Sequence, residues 1–139
     1  MQVLRYIKGC PGRGILFQRK APMSVVAYSD ADYAGDVGDR RSTTGFCTFV
    51  AGNLVTWRSK KQSVVSRSSA ESEYRAMAHT AAEMIWIRSL LRDLHVDVQE
   101  PMEMHCDNRA ATYIVNNPMF HERTKHVEVD CHYIRNLIQ

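Results

Sequence analysis

SVVAYSDADYAGD, residues 24–36, is the stretch that decides the fold of this chain. A short valine-rich run, Ser24 to Ser29, passes straight into the acidic, glycine-containing segment DADYAGDVGDRR (30–41), which predicts a strand running into a loop. Downstream lie TGFCTFVAG (44–52), NLVTWRS (53–59) and QSVVSRS (62–68), three segments rich in β-branched and aromatic residues, divided by Gly52-Asn53 and by the polar cluster around Lys60 and Lys61. Antiparallel hairpins are the economical reading. Ser68-Ser69-Ala70-Glu71 then supplies a cap and an early acid for a long periodic helix reaching about Leu94. Beyond the breaker QEP, MEMHC (102–106) reads as a strand ending at Asp107, Ala110 to Val115 as a short helix closed by Asn116-Asn117-Pro118, and Lys125 to Leu137 as helical by pattern. Upstream, Leu4, Tyr6 and Ile7 followed by Gly9, Pro11 and Gly12 read as the last turns of a helix. The order strand, hairpins, helix, strand, helix, helix predicts an α/β sandwich, a mixed sheet flanked by helices.

The length of 139 residues corresponds to one domain. A hydrophobic fraction of 45% with 24% charged residues excludes collagenous, disordered and coiled-coil classes. No charge-free apolar run approaches the roughly 20 residues of a membrane span, and MQVLRYIKG lacks the apolar core of a signal peptide. A soluble, intracellular protein with no membrane partner is expected, without a choice between cytoplasm and nucleus. Cys10, Cys47, Cys106 and Cys131 show no CxxC and no close pair, which fits reduced thiols better than a disulfide framework or a zinc site. The net charge of +3 permits a nucleic-acid partner without requiring one.

Strand ends present side chains at the rim of a sheet, where ligands bind, and Asp30 and Asp107 each follow an apolar run directly. Either one alone is equally an ordinary turn aspartate. On a helical projection, Tyr74, Met77, Ala81, Met84, Ile87, Leu91 and Leu94 form one stripe; Glu73 falls near its centre, with Arg88 also on that face and Glu71 on the solvent side. An unpaired carboxylate facing a core costs several kcal/mol, roughly, so Glu73 is predicted to be neutralised, wet at a frayed helix end, or bound to a cation. Convergence of Asp30, Glu73 and Asp107 would require metal, and hard oxygen donors favour Mg²⁺ or Mn²⁺, in a pair if the site is complete.

YSDADYAGD, STTGFCTFVAGNLVTWRSKKQ, SRSSAESEYRAMA, HCDN followed by Ala110 and Ala111, and NNPMFHERTKHVEVDCHYIRN together resemble the ribonuclease H domain of copia-type LTR retrotransposon (reverse transcriptase) polyproteins. LRYIKGCPGRGILF resembles the segment joining reverse transcriptase to that nuclease. The resemblance implies a connector over residues 1–20, an RNase H-like fold over 21–139, and a metal-dependent endonuclease that hydrolyses the RNA strand of RNA/DNA hybrids. By position it carries the catalytic and metal-binding roles onto Asp30, Glu73 and Asp107. The family's fourth acid lies in a final strand and helix that have no counterpart before Ile138-Gln139. The fold is therefore expected to be incomplete at its C-terminus. Glu128 and Asp130 belong to the preceding motif and are not promoted as substitutes. The alternative implied is a catalytically weak or inactive transposon-derived module that binds nucleic acid or protein, with self-association through an exposed sheet edge.

Trp57, Arg58, Lys60, Lys61 and Gln62 form an aromatic-basic cluster suited to nucleic-acid contact, or equally to edge protection. Asn108 either contacts an RNA 2′-hydroxyl or caps the following helix. Asp32 and Asp36 read as loop acids within reach of a metal through water, or as simply solvated. His121, Arg123, Lys125, His126 and His132 make the C-terminal region basic, and the spacing of His126 and His132 does not suit a shared helical metal site.

Overall fold

The computed structural model describes residues 1–19, 21–98 and 101–116. Helix α1 (Gln2–Gly9) precedes strands β1 (Val25–Asp32), β2 (Thr43–Val50) and β3 (Asn53–Lys61); the long helix α2 (Ser69–Asp93), strand β4 (Glu103–Cys106) and helix α3 (Arg109–Asn116) follow. The four strands form one sheet in the order β3-β2-β1-β4. The β1–β2 and β2–β3 pairs are antiparallel, and β1–β4 is parallel. This mixed sheet with helices is the α/β architecture expected from the sequence and is consistent with an RNase H-like fold. The Lys125–Leu137 segment, Glu128, Asp130, Cys131 and the C-terminal histidines lie outside the described residues, as does the question of a final strand.

Alternation along β1 sets Val25, Ala27, Ser29 and Ala31 into the interior, while Tyr28, Asp30 and Asp32 are exposed. These interior residues are small, and the buried face of α2 likewise carries small residues, Ala76, Ala78, Thr80 and Ala81. Larger side chains fill the two ends. Tyr74, Met77, Ala78 and Ala111 pack with Met104 and Cys106 at one end; Val25, Ala27, Met84 and Ile87 pack with Val50, Leu91 and Met102 at the other. The predicted stripe is therefore buried from Tyr74 to Ile87, and it fades to half-buried Leu91 and exposed Leu94.

Three local expectations are corrected. First, β1 continues through Asp30 to Asp32, because Asp30, Ala31 and Asp32 pair with Gly45, Thr44 and Thr43 of β2. Second, residues 62–68 are not a third hairpin strand. Gln62 turns inward to hydrogen-bond Thr44 and the Ser72 carbonyl, and Val64 and Val65 are left exposed. Third, Glu71 is buried, not solvent-facing. It sits at the third position of α2, where the Ser68 hydroxyl accepts its N–H at 3.1 Å and its own carboxylate accepts the Arg67 N–H at 2.8 Å. Arg75 then meets Glu71 one turn on at 3.1 Å.

Candidate metal and nucleic-acid site

Three elements deliver the acids. Asp30 comes from β1, Glu73 from the second turn of α2, and Asp107 from the residue after β4. Because β1 and β4 run parallel, with Ser29 opposite Cys106, their last residues reach the same rim, and the N-terminal end of α2 lies over it. Glu73 is 6% exposed. Its carboxylate, the Cys106 thiol and the Asp107 carboxylate offer ligand atoms all within 4.8 Å of one another, the one such group among the described residues. Asp30 is exposed and outside that group, yet its charge reaches Glu73.

Burial above all, and then the negative charges of Asp30 and Asp107, push Glu73 up from 4.5 to about 7. The Ala31 N–H and the Cys106 thiol, both hydrogen-bonded to its carboxylate, work the other way. Burial likewise pushes the Cys106 thiol up. A carboxyl that binds its proton more tightly folded than unfolded costs no stability at low pH. The cost grows as pH rises from 4.5 towards about 7 and is complete above that. In a chelator, Glu73→Gln should therefore melt with the wild type near pH ~4 and several degrees higher near pH ~8. Thermal melts that stay superimposed across that window would contradict this origin of the shift.

The donor chemistry suits a hard divalent cation. Three carboxylates within electrostatic reach raise the energy of the ionised state, and a cation at the rim relieves that repulsion while being offered oxygen ligands.

The remaining predicted residues separate. In the β2–β3 register, Trp57 stands opposite Cys47, which stands opposite Tyr28, and Tyr28 stands opposite His105. This row lies on the face away from α2; Tyr28 and His105 stack there with ring centroids 5.0 Å apart. Arg58 and Lys60 alternate onto the other face. There they line a cavity of about 130 Å³ with Thr44, Ser63 and His79. The predicted aromatic-basic cluster is thus divided between the two faces of an edge strand. Lys61 is ion-paired with Asp36 and lies 3.4 Å from Asp39, and Asp36, held down to about 2 chiefly by Lys61, also accepts the Gly38 and Asp39 N–H groups. Those contacts stabilise the loop rather than leaving Asp36 free for a metal.

Gln62 borders the same cavity as Arg58 and Lys60 but is 6% exposed, with both ends of its amide held by protein, which gives it a structural part in joining β2 to α2. Asn108 caps α3, its Oδ1 accepting the Ala111 N–H at 3.0 Å. Asp32 faces a loop that passes over it: a Cβ at Gly35 would sit 2.2 Å from Asp32 Oδ2, so any larger residue there requires the exposed Asp32 carboxylate to swing away. Sequence reasoning missed Cys106, Thr44 and His79. The alternation MEMHC pointed to Cys106, which shares the inward face with Met104.

These features define an α/β domain of RNase H-like sheet order with an acid cluster at the rim of the two parallel strands. Over nearly its whole length the chain is similar to transposon polyproteins. It is 46% identical over 138 residues to the retrovirus-related Pol polyprotein from transposon RE2 of Arabidopsis thaliana, a match covering 99% of this chain and 10% of that protein. The corresponding polyprotein from transposon TNT 1-94 of Nicotiana tabacum is 38% identical over 136 residues, 98% of this chain and 10% of its own length. A shorter match, 45% identical over 86 residues, is to the secreted RxLR effector protein 161 of Plasmopara viticola, covering 62% of this chain and 61% of that protein. No family model and no solved structure matches. The chain is therefore retrotransposon-derived, and it spans about a tenth of the length of the Pol polyproteins it matches.

Proposed function

We propose that this chain is a ribonuclease H module that hydrolyses the RNA strand of RNA/DNA hybrids with Mg²⁺ or Mn²⁺. The observation that carries the reading is Glu73, a buried helix carboxylate pushed up to about 7 beside Asp30 and Asp107 at the rim of a mixed sheet. Similarity to retrovirus-related Pol polyproteins supports it, because copying RNA into DNA creates the hybrid that such an activity removes.

In this reading Asp30, Glu73 and Asp107 are the groups that hold divalent cations. Held by these three carboxylates, divalent ions would supply the activation of the attacking water and the stabilisation of the leaving 3′ oxygen. The protein's part is positional. The Ala31 N–H holds the Glu73 carboxylate in place, and the Asn108 cap starts α3 directly after Asp107. Arg58 and Lys60 contact backbone phosphates from the α2 side of β3, with Trp57 reaching the nucleic acid around the same edge from the other face.

The test is a labelled RNA/DNA hybrid incubated with the purified chain. RNA-strand fragments are expected with Mg²⁺ or Mn²⁺ and none in a chelator, with the DNA strand intact. A hybrid that survives both metals, or equal cutting by Asp107→Asn, would sink the proposal.

A further inference from the structure

We infer that two copies of this chain associate by exchanging arms: the amphipathic segment 2–17 of each copy lies across the outer face of the other copy's sheet, the face away from α2. The contact is made by a face, not by strand edges, and is independent of the nuclease reading.

Along α1, Val3, Leu4 and Ile7 share one side with Tyr6 beside them, while Arg5 and Lys8 lie on the other. No residue of α1 is buried, and Val3, Leu4, Tyr6 and Ile7 are 70%, 65%, 68% and 58% exposed. Ile15, Leu16 and Phe17 add three more exposed apolar side chains. A helix of eight residues is too short to persist on propensity alone and depends on packing its apolar side. Its own domain does not supply that packing. The arm joins the domain where Asn53 Nδ2 donates to the Gln18 carbonyl at 3.1 Å, at the start of β3.

The sheet carries a matching surface. Val26, Tyr28, Cys47 and Phe49 point away from α2, between Trp57 of β3 and His105 of β4. Tyr28 stands edge-on to Phe49 with ring centroids 5.9 Å apart, and Tyr28 and Trp57 are 51% and 64% exposed. Both α2 and α3 pack on the opposite face. An apolar surface of this kind marks a contact with another molecule.

Charge selects the occupant. The arm holds Arg5, Lys8 and Arg13, and no acidic residue precedes Asp30, so two arms repel each other. The outer face is edged by acids: Glu103, opposite Val26, at one end of β1 and exposed Asp30 and Asp32 at the other. Lys61 on the same edge is already paired with Asp36. Such a face disfavours a polyanion and favours a basic, apolar arm. Each copy has one arm and one face, so a twofold pair makes the contact twice and closes with neither left over.

Light scattering on the full chain eluting from a sizing column should show a dimer that dissociates on dilution and is weakened by salt. Leu4→Asp combined with Ile7→Asp should give a monomer with an unchanged fold, since both side chains are exposed. Trp57→Asp should also be monomeric, and mixing it with the arm variant should restore a 1:1 heterodimer, one copy supplying the arm and the other the face. Arg5→Glu with Lys8→Glu should weaken the wild-type dimer at least about tenfold. A wild-type monomer at every concentration, a particle larger than a dimer, or a dimer that survives the arm variant overturns the inference. So does a mixture without heterodimer when both variants are folded; if Trp57→Asp fails to fold, the arm variant decides alone.

Discussion

Glu73→Gln should fold and yet lose Mg²⁺-dependent hybrid cleavage, with the rate falling at least about a hundredfold. The substitution keeps the size of the side chain and removes one negative charge from the point where α2 meets the sheet. Because burial and the charges of Asp30 and Asp107 already disfavour ionisation of Glu73, the neutral amide suits the metal-free fold better than the carboxylate does. Stability and activity should therefore move in opposite directions, a pairing that general damage to the fold does not produce. The measurement is single-turnover cleavage alongside thermal unfolding in a chelator. Glutamine retaining more than about a tenth of the wild-type rate would show that Glu73 is not needed for metal binding.

Gln62→Ala should be among the most destabilising single changes at a polar position, costing about 2–4 kcal/mol. Gln62 Nε2 donates to Thr44 Oγ1 and to the Ser72 carbonyl, both at 3.0 Å, and its Oε1 accepts from the Ser66 hydroxyl at 3.0 Å. One amide thus ties β2, the approach to α2 and the first turn of α2 together. Thr44, Ser66 and Ser72 are themselves 3%, 2% and 0% exposed, so water does not replace the lost partner. Lys60→Ala, two residues away and exposed, provides the contrast. Its stability should change by no more than about 0.5 kcal/mol, while its affinity for hybrid at low salt drops and loses part of its salt dependence. Denaturant unfolding of the two variants decides the assignment, and equal stability losses would refute it.

The elements that periodicity marks, β1, the β2–β3 hairpin, α2 and β4, were legible because alternation and the helical stripe report burial directly. Glu73 stood out for the same reason, as an acid on an apolar stripe. What pattern alone could not yield was the destination of polar side chains. Gln62 and Glu71 read as surface residues by type, and each is buried because a specific set of backbone and hydroxyl groups receives it. The division of Trp57 from Arg58 and Lys60 follows from strand alternation. It was obscured because the eye groups neighbours in sequence, whereas a strand sends them to opposite faces. Cys106 was passed over as a scattered thiol, since the Glu73 carboxylate beside it comes from α2, 33 residues away in sequence.

The parallel pairing of β1 with β4 also has a kinetic side. Tyr28 meets His105 and Ser29 meets Cys106 only after the intervening hairpins and the whole of α2 have been spanned, a loop closure whose entropy must be met before any contact repays it. The β1–β2–β3 meander is local and can form early, whereas the acid rim depends on the strand pairing most distant in sequence among the described residues. During synthesis, no ribosome-bound chain that has yet to release β4 possesses the rim. Changes that weaken the β1–β4 ladder should accordingly slow the appearance of metal affinity more than the appearance of secondary structure.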